Sequence, residues 1–168
     1  EYCTLNRGTG EGGVTRVGED CLLMAYSHVG HDCSVGHHAV LANCVGLGGH
    51  VEVGDHVTIG GLVGVHQFVR IGDHAFVGAC SKATKDIPPF LLVDGHPVRP
   101  RGLNLVGLKR RGFDDDVLRD LRKAFRILFK SSLNVGDAVE EIAATLRDGP
   151  ELRKFLDFVR GSERGIVT

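Results

Sequence analysis

Tryptophan is absent from this 168-residue chain, which holds two tyrosines, one methionine and five prolines. Aromatic residues make up only 6% of it, so large rings do not build its core. No apolar run approaches the roughly 18 residues that a helical membrane span requires, and no signal-like segment opens the chain. The five cysteines are an odd number with no C-x-x-C spacing, which suggests neither a zinc knuckle nor a disulfide framework. A reducing, cytoplasmic setting is therefore expected. Formal net charge is −1. That balance hides an acidic excess before residue 84 and a basic excess after it.

What the chain does have is glycine, 24 of them, and a period of six. Val17, Leu23, Val29, Val35, Leu41 and Leu47 start a series that continues through Val53, Ile59, Val65 and Ile71 to Val77 without a slip. The residue two places before each is small or valine, and the residue just after is usually glycine. Six fits neither the 3.6 of a helix nor the 2 of a strand, but it fits short strands joined by glycine turns. The segments VGED, VGHH, VGDH and IGDH recur every 18 residues, as three hexads closing one triangular coil would require. The reading is a parallel β-helix in which residue n lies about 4.8 Å from residue n+18. Leu5 stands twelve residues before Val17 and in phase with it. Between them the hexad lapses in a glycine-rich excursion that is either a plain surface loop or a lid.

Three regions follow. Residues 1–83 form the β-helix, which lacks a capping element and is expected to be incomplete at its N-terminal end. Residues 84–113 hold four of the five prolines and read as an extended connector ending in the basic Lys109-Arg110-Arg111. Residues 114–168 read as a helical domain: one helix from Asp114, one over 136–147, and one from Pro150 that stops before Gly161.

The nine histidines sort by register. His38, His56 and His74 form an outward ladder. It is open to a metal reading, but parallel imidazoles do not converge on a tetrahedral centre, which favours plain surface decoration. His28, His31, Asp32, His50, His66 and Gln67 also lie outside the inward register. His31 is followed by Asp32 and lies one coil from Gly49, whose backbone N–H has no side chain in front of it. A general base beside an oxyanion donor is the minimum for acyl transfer. The alternative is that these histidines are outward filler.

At the runs SHVGHDCSVG, LGGHVEVGD, VHQFVRIGDHAFVGACS, IPPF and NLVGLKRRGF the chain resembles the UDP-N-acetylglucosamine 3-O-acyltransferases of lipid A synthesis. The likeness extends from Asn6 through the tail. It implies a left-handed β-helix of hexapeptide repeats with a C-terminal helical domain, no cofactor and no metal. It also implies a homotrimer with active sites between subunits. The partners would be acyl carrier protein and UDP-N-acetylglucosamine, with no nucleic acid. By the same resemblance His31 is the base, Asp32 supports it and the Gly49 N–H binds the oxyanion. His28, His50, His66 and Gln67 would bind substrate, and Asn104, Arg110 and Arg111 would lie near the nucleotide and its phosphates. Ala79 stands where many members have the middle glycine of GGC, a position that helps set acyl length, and Val106 replaces a common acidic residue. The family's first coils, which supply part of the nucleotide pocket, have no counterpart here. Three other readings stay open: the sibling N-acyltransferase of the same pathway, a zinc carbonic anhydrase of hexapeptide type using His28, His31 and His50, and a scaffold that only mediates trimer contacts.

Overall fold

Pairing at intervals of 18 residues builds the first half of the molecule, as a computed structural model describing all 168 residues makes explicit. His28 lies beside Gly46, Ser34 beside Glu52 and Val40 beside Thr58, each in a parallel ladder. Two-residue strands therefore stack into three sheets, the faces of a triangular prism. The first face holds Thr4–Leu5, His28–Val29, Gly46–Leu47, Gly64–Val65 and Lys82–Ala83, and the second holds Arg16–Val17, Ser34–Val35, Glu52–Val53 and Arg70–Ile71. The third begins at Leu22–Leu23 and climbs through Val40–Leu41, Thr58–Ile59 and Phe76–Val77. Val29, Leu41 and Ile59 are fully buried, as are the small inward residues Cys33, Ala39 and Val57. Each aliphatic side chain contributes roughly 1.5–3 kcal/mol by leaving water.

The turns differ from the expected glycine turns. Left-handed backbone falls three residues after each inward aliphatic, at Asp20, Tyr26, Asp32, His38, Cys44, His50 and onward. None of these is β-branched, in keeping with the steric cost of that region. Glycine is needed for another reason: a Cβ on Gly30 would sit 2.7 Å from the Leu47 carbonyl oxygen, and one on Gly48 would sit 2.8 Å from the Gln67 nitrogen. At the corners, adjacent coils pass too close for a side chain there.

The register also slips once. Leu5 pairs with Val29 and not with Leu23, because the excursion after Leu5 makes that coil six residues longer than the others. At the other end the stack continues beyond Ala83. Ile87 bridges Ile71, and Leu91–Gly95 extends the third face before turning back as Val98–Leu103. The connector is not extended throughout, since helix α1 (Leu105–Arg110) follows. The Asn104 side chain accepts the Gly107 N–H and starts this turn, and Leu108 is buried under it. Helices α2 (Asp115–Lys130), α3 (Val135–Thr145) and α4 (Pro150–Arg160) complete the chain. Helix α3 starts one residue early because Asn134 caps it at the Asp137 N–H. It also ends two residues short of Arg147.

The His38, His56 and His74 rings stack at 4.6 and 4.9 Å, and Phe90 and Phe113 close the upper end. His74 is thus more than surface decoration: it is half-buried and its Nδ1 has no partner. Burial first, then His56 and Arg111, pushes its pKa down to about 4, against the smaller opposing pull of Asp73. A histidine that resists protonation in the fold is protonated earlier in the unfolded chain. Stability is therefore lost as pH falls from about 6.5 toward 4. With solvent reaching half the ring, the loss is about 1–2 kcal/mol, or roughly 2–8 °C in Tm. Thermal melts from pH 7 to 4.5 check this. His74→Phe keeps the stack and should flatten the curve; parallel curves for the two proteins would refute the assignment.

Candidate active site

The corner between the first and second faces carries residues 31/32, 49/50 and 67/68 on successive rungs. Backbone bonds fix their spacing: His50 N–H donates to the His31 carbonyl at 2.9 Å and Phe68 N–H to the Gly49 carbonyl at 3.0 Å. Left-handed backbone at Asp32 (φ 58°) turns its carboxylate beside the preceding imidazole, 2.9 Å from His31 Nδ1.

The glycine-rich excursion folds over the other side of Asp32. Thr9 donates its backbone N–H to both carboxylate oxygens at 3.1 Å and its hydroxyl to Oδ2 at 2.6 Å. The Thr15 hydroxyl accepts the Asp32 N–H at 2.9 Å. Gly13 permits the approach, since a Cβ there would lie 2.6 Å from Asp32 Oδ1. The Thr9 hydroxyl, then His31, pulls the Asp32 pKa down to about 2 despite partial desolvation, so the group is a carboxylate at neutral pH. A fixed negative charge at Nδ1 places the imidazole proton there and leaves the Nε2 lone pair free. Neither Thr9 nor Thr15 was assigned a role from the sequence. The signal for Thr9 was the break in the hexad, and Thr15 holds the small inward position two places before Val17.

His31 keeps 40% of its side-chain surface open, whereas Asp32 keeps 11%. The ring lies across Gly49, where a Cβ would come within 2.5 Å of Cε1 and Nε2. The Gly49 N–H donates to no group in the chain. His50 stands edge-on to His31 at 5.1 Å, 3.7 Å from Asp32 Oδ2, and stacks on Phe68 at 4.6 Å. His31 also walls a cavity of about 620 Å³ whose other side is the loop from Leu5 to Gly10. The nearest metal-like set is His31, Asp32 and His50, without His28. In it Asp32 already bonds to His31 Nδ1 and to the Thr9 hydroxyl, an acid–base pairing.

The relatives of the chain have the same architecture. The family profile "Udp N-acetylglucosamine O-acyltransferase; Domain 2" matches residues 86–167, and the profile "Bacterial transferase hexapeptide (six repeats)" matches 15–49. An acyl-(acyl-carrier-protein)-UDP-N-acetylglucosamine O-acyltransferase of Alkalilimnicola ehrlichii is 46% identical over 99% of this chain. The UDP-N-acetylglucosamine acyltransferase structure from Campylobacter jejuni is 36% identical with a TM-score of 0.89, and the match covers 99% of this chain and 68% of that one. The chain belongs to the UDP-N-acetylglucosamine O-acyltransferase family. LpxA from Acinetobacter baumannii superposes with a TM-score of 0.95 at 39% identity over 100% of this chain. The chain spans 65% of the Alkalilimnicola protein and 66% of the Acinetobacter one. These relatives are named as acyltransferases of UDP-N-acetylglucosamine, and none of them is named as an N-acyltransferase, a carbonic anhydrase or a scaffold.

The remaining residues singled out by the acyltransferase resemblance are dispersed over the prism. His28 lies on the first face with Nδ1 2.7 Å from the Thr4 hydroxyl, below the bare strip of Gly46 and Gly64. His66 Nδ1 meets the Gln67 carbonyl at 3.0 Å and the Arg164 guanidinium at 2.9 Å, and Gln67 is exposed. Asn104 is buried: its amide caps α1 and donates to the His74 carbonyl at 3.0 Å. Arg110 and Arg111 line a cavity of about 650 Å³ with Asn104, Val106, Thr58 and Phe76. That cavity lies against the third face, whose strands carry Thr58, Phe76 and Leu92, away from the His31 corner. Ala79 is exposed at the third corner. One chain therefore joins His31, Asp32, Gly49 and His50 and leaves the arginines apart from them.

Proposed function

We propose that this chain carries the catalytic corner and helical cap of an enzyme that moves an (R)-3-hydroxyacyl group from acyl carrier protein to the 3-hydroxyl of UDP-N-acetylglucosamine, the first step of lipid A synthesis. The observation that carries the reading is the His31 ring held between the Asp32 carboxylate and the unpaired Gly49 N–H. His31 Nε2 removes the proton of the sugar 3-hydroxyl as that oxygen bonds to the thioester carbonyl carbon. The carbonyl oxygen becomes an oxyanion and accepts the Gly49 N–H. When the carbon–sulfur bond breaks, the departing thiolate takes the proton back from the imidazolium, and Asp32 has balanced that cation meanwhile.

The arginines enter from a second subunit. His31 sits on a convex corner, and a convex surface needs a second surface to form a cleft. In a homotrimer the neighbour's Arg110 and Arg111 face it and bind the nucleotide phosphates through the guanidinium forks. The basic second half of the chain suits the acidic surface of acyl carrier protein. A cytoplasmic location fits five free thiols, and no helix is long and apolar enough to cross a membrane.

The acyl chain lies along the bare first face, from His31 past Gly46 and Gly64 toward Ala79, about 13 Å along the prism axis at ~4.8 Å per coil. The Ala79 methyl then shortens the preferred chain. Ala79→Gly should shift preference toward longer donors, and identical length profiles would refute this. The deciding assay supplies UDP-N-acetylglucosamine and (R)-3-hydroxyacyl-acyl carrier protein to this chain and to a version extended to the length of its relatives. Ester product from the extended version supports the reading. No product from either overturns it.

A further inference from the structure

We propose that Arg164, in the tail after α4, is a positioning residue that holds His66 as the tautomer protonated on Nε2, so that the ring offers substrate a donor. The inference rests on the reading of His66 as a substrate contact. The tail is tied down before it reaches His66. Asp86 exchanges backbone bonds with Gly165 and Val167, and its carboxylate accepts the Ser162 hydroxyl at 2.8 Å. Ile166 and Val167 are buried, and Arg70 donates to the Gly161 carbonyl at 2.9 Å. Arg164 Nε donates to the Thr84 carbonyl at 2.9 Å, which aims the other arm of the fork at His66 Nδ1, 2.9 Å away.

That nitrogen faces two partners with opposite demands. The Gln67 carbonyl, at 3.0 Å, accepts only from a protonated Nδ1, whereas the guanidinium donates only to an unprotonated one. Arginine has no acceptor and keeps its proton at any working pH, while the carbonyl of the exposed Gln67 can accept from water instead. The proton therefore resides on Nε2. His31 shows the converse arrangement: Asp32 draws the proton to Nδ1 and leaves Nε2 as acceptor. Two imidazoles two rungs apart are thus set by partners of opposite charge, one as base and the other as donor to a carbonyl or phosphate oxygen of the substrate.

Long-range proton–nitrogen correlation spectra of the ¹⁵N-histidine protein, recorded at pH 8, read the tautomer directly. The parent should show His66 Nδ1 unprotonated. Arg164→Ala should acquire a population protonated on Nδ1, bonded to Gln67. Arg164→Lys, which still donates but has no second arm to hold Thr84, should restore the parent pattern in part, and unchanged Tm would separate this from loss of the tail. In the transfer assay Arg164→Ala should lose about tenfold in kcat/KM, the scale of one charge-assisted hydrogen bond. An Nδ1–H signal in the parent, or no change in Arg164→Ala, overturns the proposal. If the parent forms no ester while the tautomer responds as described, the acyl-transfer reading fails and the positioning role stands.

Discussion

His31→Ala lowers the transfer rate of the extended protein by about 10² to 10⁴, the range that loss of a positioned general base produces. The fold should not notice. The ring is 40% exposed, and Asp32 keeps both Thr9 bonds when His31 is gone, so no buried charge is left without a partner. KM for the sugar nucleotide should change little, because His31 acts on the proton in flight and other residues bind the nucleotide. Asp32→Asn should cost less. Its amide oxygen can still accept from Thr9 or from His31 Nδ1, and what disappears is the charge that steadies the imidazolium. Steady-state rates beside thermal melts check the pair. A His31 variant that retains the parent rate would place the base elsewhere.

Gly49→Ala should cost about 10² or more in kcat although it removes no polar group. The new methyl would lie 2.5 Å from His31 Cε1 and Nε2, well inside van der Waals contact, and it meets the ring face close to its reactive nitrogen. The imidazole can swing away, but only by weakening its 2.9 Å bond to Asp32 and by leaving the line between sugar hydroxyl and oxyanion donor. A misplacement of about 1 Å at a reacting group is worth about 10² in rate. The Gly49 N–H itself survives, so this variant separates the position of the base from the supply of the oxyanion donor. Gly46→Ala serves as the stability control, since nothing lies within 4 Å of a Cβ there, and it should melt with the parent. A Gly49→Ala protein with parental kcat would mean that His31 does not work in the place where the structure holds it.

The hexad was legible because every inward position repeats one requirement, an aliphatic side chain of limited volume, so the 18-residue spacing observed at His28 and Gly46 could be read by counting. The role of glycine was not legible. Counting finds Gly30 and Gly48 but cannot tell left-handed backbone from the close approach of the next coil, and the structure assigns the first to Asp32 and His50 and the second to the glycines. Helix α1 was hidden because six residues are too few to show a period, although the Asn104 cap was present as a signal.

The site divides in the same way. His31, Asp32 and Gly49 stood out because a fixed rung spacing turns sequence separation into distance, and Asp32 follows His31 directly. Thr9 and Arg164 did not, for they reach the corner from outside the repeat, across 23 and 98 residues. Their contacts depend on where an irregular loop and a returning tail come to rest. By itself the sequence determined the solenoid, its inward residues and the rung on which His31 lies, because those follow from a periodic backbone. Only the tertiary structure decided which partners the two imidazoles meet and that the arginines lie against another face. Those outcomes depend on side chains brought together by packing, for which no spacing rule exists.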